Sequence, residues 1–152
     1  MPTNPDRLTR YTCFRALSED QRQAVAQLAR EECFYPGHTL FQDEKPGTQL
    51  YLLGAGEVEV LYNTGKKDPI YVDAVGEGEV LGCSSLIDPY VYSSTARCLS
   101  EIETLVFESE DLRKLMEKDC QIGYSIQKHI IQMLLDRILE LRFNHDTSLQ
   151  KE

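Results

Sequence analysis

The stretch Glu57-Val58-Glu59-Val60-Leu61-Tyr62 places charged and apolar side chains in alternation. Successive side chains of a strand point to opposite faces, so Val58, Val60 and Tyr62 share one face and both glutamates lie on the other. This pattern is typical of a half-buried strand. A polar turn at residues 63–68 leads into a second run at residues 70–75, so the two runs are predicted to form a hairpin.

Short strands of this kind are indicated over residues 35–107. Glycines and prolines interrupt that region every few residues, and the segments between them are rich in Val, Ile, Leu, Tyr and Thr. The last such run occupies residues 102–107. Many short strands at this spacing are typical of a sandwich or barrel, so we predict a mainly β fold.

Helices are predicted on both sides of the strands. Ser18 and Gln21 stand at the spacing of a capping box, which predicts a helix over residues 19–32. Beyond the strands, Ser109 is predicted to cap one helix and Asp119 a second, which should run to about residue 142.

The final helix is apolar over more than half of its circumference. At 100° per residue its polar side chains form one narrow stripe: Ser125, His129, Gln132, Asp136 and Glu140. Packing against one domain requires an apolar arc of only about 100°. We therefore predict contact with the same helix of a second subunit, the alternative being that one chain covers the whole arc. The predicted interface residues are Ile126, Ile130, Met133, Leu134, Ile138 and Leu141.

Composition limits the classes of function. The chain has 152 residues, 16 Lys plus Arg and 25 Asp plus Glu, and a net charge of −9 at pH 7. That size favours one domain, and the charge argues against a general nucleic-acid or anionic-membrane surface. No apolar run is long enough to cross a bilayer, and residues 1–7 are too polar for a signal peptide.

The five cysteines are scattered, with no Cys-x-x-Cys pair. A structural zinc or iron–sulfur site therefore has no support in the sequence, and we predict no metal site. Scattered thiols are typical of a reducing compartment, so a cytoplasmic location is expected.

The order of elements and several motifs resemble the cyclic nucleotide-binding domain. This is the β-roll sensor of the catabolite activator protein and of the regulatory subunit of cAMP-dependent protein kinase. Residues 34–41 are similar to its first strand and residues 50–60 to its hairpin, where Gly56 permits a tight turn. Residues 78–82 lead into the phosphate-binding cassette. The resemblance implies a double-stranded β-helix, a jelly-roll-like β-roll, with a long C-terminal dimerisation helix.

The predicted organisation has four parts. They are an N-terminal segment at residues 1–17, a β-roll with flanking helices at residues 18–118, the dimerisation helix at residues 119–142 and a polar tail at residues 143–152. Transcription factors of this family continue into a winged helix-turn-helix after the long helix. The ten-residue tail has no room for such a two-helix reader.

The resemblance implies two charged anchors for a cyclic nucleotide. A Glu holds the ribose hydroxyl, and an Arg with backbone N–H groups neutralises the phosphate. The matching residues 82–96 have Cys83 at the Glu position and Tyr92, or Ser93 by a one-residue shift, at the Arg position. Losing both anchors would cost roughly 3–6 kcal/mol, or about two to four decades in affinity. We expect cAMP and cGMP to bind weakly or not at all, and we assign no cofactor.

Hydroxyl groups remain in the cassette and suit a neutral or weakly anionic polar ligand. Alternatively, they cap the turn and line a small water-filled pocket. Cys83, beside a helix start, could be a thiol sensor with a lowered pKa or a buried, inert thiol. Arg137 could pair with an acidic residue across a dimer or lay its stem along apolar surface. The candidate pocket residues are Gly82, Cys83, Ser84, Ser85, Leu86, Tyr92, Ser93, Ser94, Thr95 and Arg137.

No catalytic residue can be named, because Walker, kinase and hydrolase motifs are missing from the sequence. His38 and His129 are interpreted as surface residues. We predict a stand-alone regulatory module: a homodimer whose long helices shift when the pocket or a protein partner is engaged. One alternative is a partner-binding subunit without small-molecule sensing, with an acidic surface suited to a basic partner. The other is a truncated transcription regulator whose DNA-binding domain is absent from this chain.

Overall fold

Two antiparallel four-stranded sheets form a β-roll in the computed structural model, which describes residues 3–62 and 70–150. One sheet has the strand order β1-β8-β3-β6 and the other the order β2-β7-β4-β5. The strands are β1 (Ala29–Phe34), β2 (Thr39–Phe41), β3 (Gln49–Ala55), β4 (Val58–Tyr62), β5 (Ile70–Val75), β6 (Val80–Leu81), β7 (Thr95–Cys98) and β8 (Ile102–Glu108).

Helices lie before and after the strands. The N-terminal part has a 3-10 helix (Pro5–Arg10), α1 (Thr12–Arg15) and α2 (Glu19–Leu28), and the C-terminal part has α3 (Ser109–Lys118) and α4 (Cys120–Gln150). A second 3-10 helix, Cys83–Leu86, lies between β6 and β7. Among the described residues, none of these helices combines the length and apolar character required to span a bilayer.

Two apolar clusters occupy opposite faces of the first sheet. Along β3, Leu50 and Leu52 belong to the cluster beneath the helices, whereas Tyr51 and Leu53 belong to the cluster between the two sheets. This division follows from the period of two in a strand. The central strands β3 and β8 of the first sheet are therefore buried on both faces, by helices on one side and by the second sheet on the other.

The predicted mainly β roll with flanking helices and a long C-terminal helix is confirmed. The strands β4 and β5 pair antiparallel, and Val58 and Val60 are buried as expected. The turn predicted at residues 63–68 lies outside the described residues. The Ser18–Gln21 capping box is present, with both reciprocal hydrogen bonds.

Three predicted helix boundaries need correction. The helix predicted over residues 19–32 ends at Leu28, because the following residues pair with β8 as a strand. Ser109 does not cap α3: the cap position belongs to Glu108, and the Ser109 hydroxyl contacts another serine instead. The last helix extends to Gln150, beyond the predicted end at residue 142. Asp119 does cap α4, accepting hydrogen bonds from two backbone N–H groups at 3.1 and 3.4 Å.

Candidate functional site

The cassette begins at a glycine with a left-handed backbone. Gly82 has φ 80° and ψ 25°, a conformation that side-chain-bearing residues rarely adopt. A Cβ atom there would lie 3.0 Å from the Gln49 carbonyl oxygen and 3.1 Å from the Tyr92 ring. Gly82 therefore lets the chain leave the sheet while staying in close contact with β3.

Tyr92, one of the two residues that the family resemblance places at the Arg position, lies inside the roll. Its side chain is only 5% exposed, and its ring stacks on Phe41 with the ring centroids 4.3 Å apart. Its hydroxyl donates to the Gln49 carbonyl oxygen at 2.8 Å and accepts from the Gln49 N–H at 2.9 Å. A neutral ring with both of its hydrogen-bonding functions satisfied thus occupies this position.

Further rings continue from Tyr92 through the roll. Phe41 is followed by Tyr51 at a centroid distance of 5.9 Å, Tyr51 by Phe34 at 6.3 Å, and Phe34 by His38 at 4.8 Å. Burial raises the pKa of Tyr51 above its ordinary value, which keeps the phenol neutral. This ring column was not predicted from the sequence, although Tyr51 among the leucines of β3 is a signal for it.

The cassette hydroxyls bond within the chain. The Ser85 and Ser109 hydroxyl oxygens lie 2.6 Å apart, and both residues are fully buried. The Ser84 hydroxyl accepts from the Ser93 N–H at 3.2 Å, and the Thr95 hydroxyl accepts from a backbone N–H of the β2–β3 loop at 2.9 Å. These contacts correspond to the alternative in which hydroxyls stabilise the turn. Of the other candidate residues, Ser94 is half-buried, and Cys83 and Leu86 pack against the cluster beneath the helices.

Cys83 and Arg137 lie close enough to interact electrostatically. Burial raises the pKa of the Cys83 thiol, and the Arg137 charge only partly opposes this shift. A raised pKa is opposite to what a thiol sensor needs and agrees with the buried, inert alternative. The Arg137 guanidinium donates to the Glu79 carboxylate at 2.7 Å. The acidic partner of Arg137 therefore lies in the same chain and not across a dimer.

Three side chains of α4, four residues apart, hold the helix to the segment that leads into the cassette. They are His129, Met133 and Arg137, and we call them the α4 clasp. Their respective partners are the Gly78 carbonyl oxygen at 2.9 Å, the Val80 N–H at 3.4 Å and the Glu79 carboxylate at 2.7 Å. His129 is therefore half-buried in a contact, not the surface residue that was expected.

An apolar groove of about 590 Å³ is lined by residues of the cassette, of α3 and of α4. On the α3 side, the Arg113 guanidinium lies 3.9 Å from the centroid of the Tyr90 ring and donates to the Ser85 carbonyl oxygen at 2.6 Å. On the α4 side, the groove is lined by Ile130, Ile131 and Leu134. The groove lies outside the roll, so it is separate from the ring column.

The predicted interface residues of α4 divide into two groups. Ile126 and Met133 are 3% and 7% exposed and pack against the chain's own core, and half-buried Ile130 packs beside them. In this arrangement Ile126 and Met133 contact the chain's own roll, which corrects their assignment to an interface between subunits. The other three are 41%, 45% and 57% exposed: Leu134, Ile138 and Leu141.

Comparison with known families agrees with this geometry. Residues 31–119 match the family described as the cyclic nucleotide-binding domain. The chain belongs to the cyclic nucleotide-binding domain family, which confirms the resemblance found in the sequence. Among the described residues, no cluster of three or more His, Cys, Asp or Glu side chains could hold a metal ion.

Several individual proteins are similar to this chain. A candidate cyclic nucleotide-binding protein of Geobacter metallireducens is 29% identical with a TM-score of 0.78, covering 90% of this chain and 98% of that one. The regulatory domain of Toxoplasma gondii PKA, crystallised with cAMP, has a TM-score of 0.70 at 18% identity, covering 82% of this chain and 47% of that one. At that identity the likeness concerns the fold alone.

One curated relative is a CRP-like cAMP-activated global transcriptional regulator of Mycobacterium tuberculosis. It is 24% identical over 127 residues, which are 84% of this chain and 57% of the regulator. This chain therefore spans little more than half the length of that relative.

Proposed function

We propose that this chain is a regulatory module that signals through α4 and has lost the charged anchors for a cyclic nucleotide. The observation that carries the proposal is that one face of α4 is bonded to the chain's own roll while another face is exposed and apolar. The α4 clasp holds one face to the segment that leads into the cassette. The opposite face leaves apolar side chains exposed. A shift of the helix would therefore change both surfaces together.

The exposed face supports a homodimer. Ile131, Leu134, Ile138 and Leu141 follow one another at spacings of three and four residues and are 41% to 57% exposed. This is the a/d spacing of a heptad, with Ile at both a positions and Leu at both d positions. That combination favours a parallel two-stranded coiled coil. We propose that two copies pair through these four side chains, which we call the α4 seam.

The cassette supports the loss of nucleotide binding. Tyr92 at the Arg position is neutral, buried and hydrogen-bonded to the main chain of Gln49. Cys83 at the Glu position is a half-buried thiol whose pKa is raised by desolvation, so it carries no charge near neutral pH. Neither residue can form the charge-assisted hydrogen bonds that the resemblance implies. The ligand of the module, if it is a small molecule, is of another class.

The first test is a titration with cAMP and cGMP, following heat release and thermal unfolding. A ligand at about 100 times its dissociation constant stabilises a protein by about 2.7 kcal/mol. We expect no saturable heat and no rise in melting temperature for the wild-type protein at millimolar nucleotide. Micromolar binding to the wild-type protein would refute the loss of nucleotide binding.

A pair of double variants makes this test sharper. Cys83→Glu with Tyr92→Arg returns both charges, and cAMP affinity should rise about 100-fold or more over the wild-type value. The matched control, Cys83→Gln with Tyr92→Gln, opens the ring column equally without adding charge and should bind no better than the wild-type protein. Equal affinity in the two variants would mean that charge is not what the cassette lacks.

A second candidate function is that of the sensory part of a transcription regulator. It is favoured by the match to 57% of the Mycobacterium tuberculosis regulator. Mass spectrometry of the protein isolated from its natural source tests this candidate. A mass well above 17.4 kDa with this sequence inside it would favour the regulator, and a mass of 17.4 kDa would exclude it.

We further propose a cytoplasmic, non-enzymatic protein. All five cysteines are free thiols, which suits a reducing compartment. The acidic net charge of −9 would also suit a basic protein partner on the surface that the homodimer leaves free.

A further inference from the structure

Every polar group of Tyr92 is hydrogen-bonded to the segment facing it. Its backbone N–H donates to the Lys45 carbonyl oxygen at 2.9 Å, and its carbonyl oxygen accepts from the Glu44 N–H at 2.9 Å. Its hydroxyl contacts both the N–H and the carbonyl oxygen of Gln49, and its ring stacks on Phe41. Stacking on one face with convergent polar contacts at the tip is how proteins hold small aromatic ligands.

The end of β6 explains why Gln49 needs this hydroxyl. The two residues of β6 pair with Leu52 and Tyr51 of β3, so Gln49 lies beyond the last residue of β3 that pairs with β6. The chain turns away at Gly82, so Gln49 pairs with Glu108 of β8 on one side and has no partner from β6 on the other. An unpaired backbone N–H and C=O inside a protein are costly, and a phenol can both donate and accept. The Tyr92 hydroxyl therefore takes the place of the missing strand partner.

Further hydrogen bonds hold the two ends of the cassette to the rest of the chain. The Gly47 N–H donates to the Tyr90 carbonyl oxygen at 2.7 Å, two residues from Tyr92. At the other end of the cassette, the Ser85 carbonyl oxygen accepts from Arg113 at 2.6 Å, and its hydroxyl meets that of Ser109. The cassette is thus fixed to β3 through Tyr92 and to α3 through Ser85.

We propose that Tyr92 acts as a built-in ligand: a phenol supplied by the chain itself that seats the cassette against β3 without any small molecule. The cassette is then a phenol-binding site occupied from within. This inference goes beyond the missing charges of the proposed function, and either can fail without the other. Its test involves no nucleotide and no dimer.

The experiment replaces the tethered phenol by a free one. Tyr92→Ala removes the ring and leaves a cavity shaped for phenol, and the melting temperature should fall by about 10 °C. The amides of Glu44 and Gly47 should exchange their hydrogens faster. Millimolar phenol should recover several degrees and restore protection of both amides, whereas the wild-type protein should not respond. Benzene should bind this variant at least about tenfold more weakly than phenol, because it cannot bond to Gln49.

The matched control is Phe14→Ala. Phe14 is a buried ring in the other apolar cluster, and a cavity left there has apolar walls. That variant should bind benzene at least as well as phenol, and neither compound should change exchange at Glu44 or Gly47. Phenol preference confined to the Tyr92→Ala variant would support the built-in ligand. Equal binding of benzene and phenol there, or phenol binding without renewed amide protection, would overturn it.

If Tyr92→Ala does not fold, a milder variant tests the role of the hydroxyl alone. Tyr92→Phe retains the stacked ring and removes only the hydroxyl. Exchange of the Gln49 amide should then increase about tenfold or more, while the Glu44 amide stays protected. Unchanged exchange at Gln49 would show that the hydroxyl does not replace a strand partner.

Discussion

The inside of the roll beside the cassette and the outer face of α4 differ in how far their apolar side chains are buried. Inside, the rings of Tyr92, Phe41 and Tyr51 fill the space, and the Tyr92 hydroxyl is saturated with hydrogen bonds. Outside, Leu134 and Ile138 have 41% and 45% of their surface in solvent. Aromatic rings therefore fill the roll beside the cassette, whereas α4 leaves apolar side chains exposed to solvent. These two observations support the proposal that the chain signals through contact with another protein.

The largest expected effect is the loss of the dimer on charging the α4 seam. Ile138→Asp should weaken dimerisation about 100-fold or more, because it places two carboxylates in an apolar contact. Because Ile138 is exposed in the single chain, the melting temperature of the monomeric variant should change little. Size-exclusion chromatography with light scattering at several concentrations measures the shift.

The control for that variant lies on the same helix. Leu139 is 58% exposed but falls outside the α4 seam, so Leu139→Asp should leave the dimer intact. If both substitutions disrupt the dimer equally, the heptad assignment is wrong. If neither does, the helices do not pair through this face.

The next effect concerns the buried cysteine beneath the helices. Burial raises the pKa of Cys13 to about 12, whereas an unfolded thiol has a pKa of about 8.5. The contribution of this thiol to the free energy of unfolding is therefore complete below about pH 8.5 and is lost as the pH rises towards the folded pKa. Between about pH 8 and pH 10, the free energy of unfolding should fall by about 2 kcal/mol from this group.

Urea denaturation across that range measures the slope, and two alanine variants assign it. Cys13→Ala should flatten the decline with pH, since it removes the buried thiol. Cys33→Ala, at an exposed position, should decline like the wild-type protein. Identical slopes for both variants would place the pH dependence in another group.

The smallest expected effect is the coupling of two buried hydroxyls. Ser85→Ala or Ser109→Ala alone leaves one hydroxyl without a partner and should cost about 1–2 kcal/mol. The double variant should cost less than the sum, by about 1 kcal/mol, because no buried hydroxyl remains unpaired. Denaturant unfolding of the four proteins gives the cycle. Strict additivity would mean that the 2.6 Å contact does not stabilise the junction of cassette and α3.

Local patterns predicted local structure well. The alternation at residues 57–62 indicated β4, and the spacing of Ser18 and Gln21 indicated the start of α2. The same kind of reasoning extended α2 too far, since pairing of Ala29–Phe34 with β8 overrides helical propensity. That pairing joins residues 68 to 78 positions apart, which periodicity cannot reveal.

The candidate site was harder to predict for the same reason. The resemblance located the cassette and the positions that match the family's Glu and Arg. It did not predict which partners the side chains at those positions would contact. Tyr92 bonds to Gln49, 43 residues away, and Arg137 to Glu79, 58 residues away. The hydroxyls of Ser84, Ser85 and Thr95 have hydrogen-bond partners within the chain, and Ser84 and Ser93 also line the groove beside α4. Partners this distant are determined by tertiary packing and not by sequence spacing.

Sedimentation equilibrium of the wild-type protein, with and without millimolar cAMP, tests most directly whether α4 and not a nucleotide controls the assembly. At tens of micromolar protein we expect twice the mass of the 17.4 kDa chain, unchanged by cAMP. A monomer under both conditions, or a mass that depends on cAMP, would contradict this.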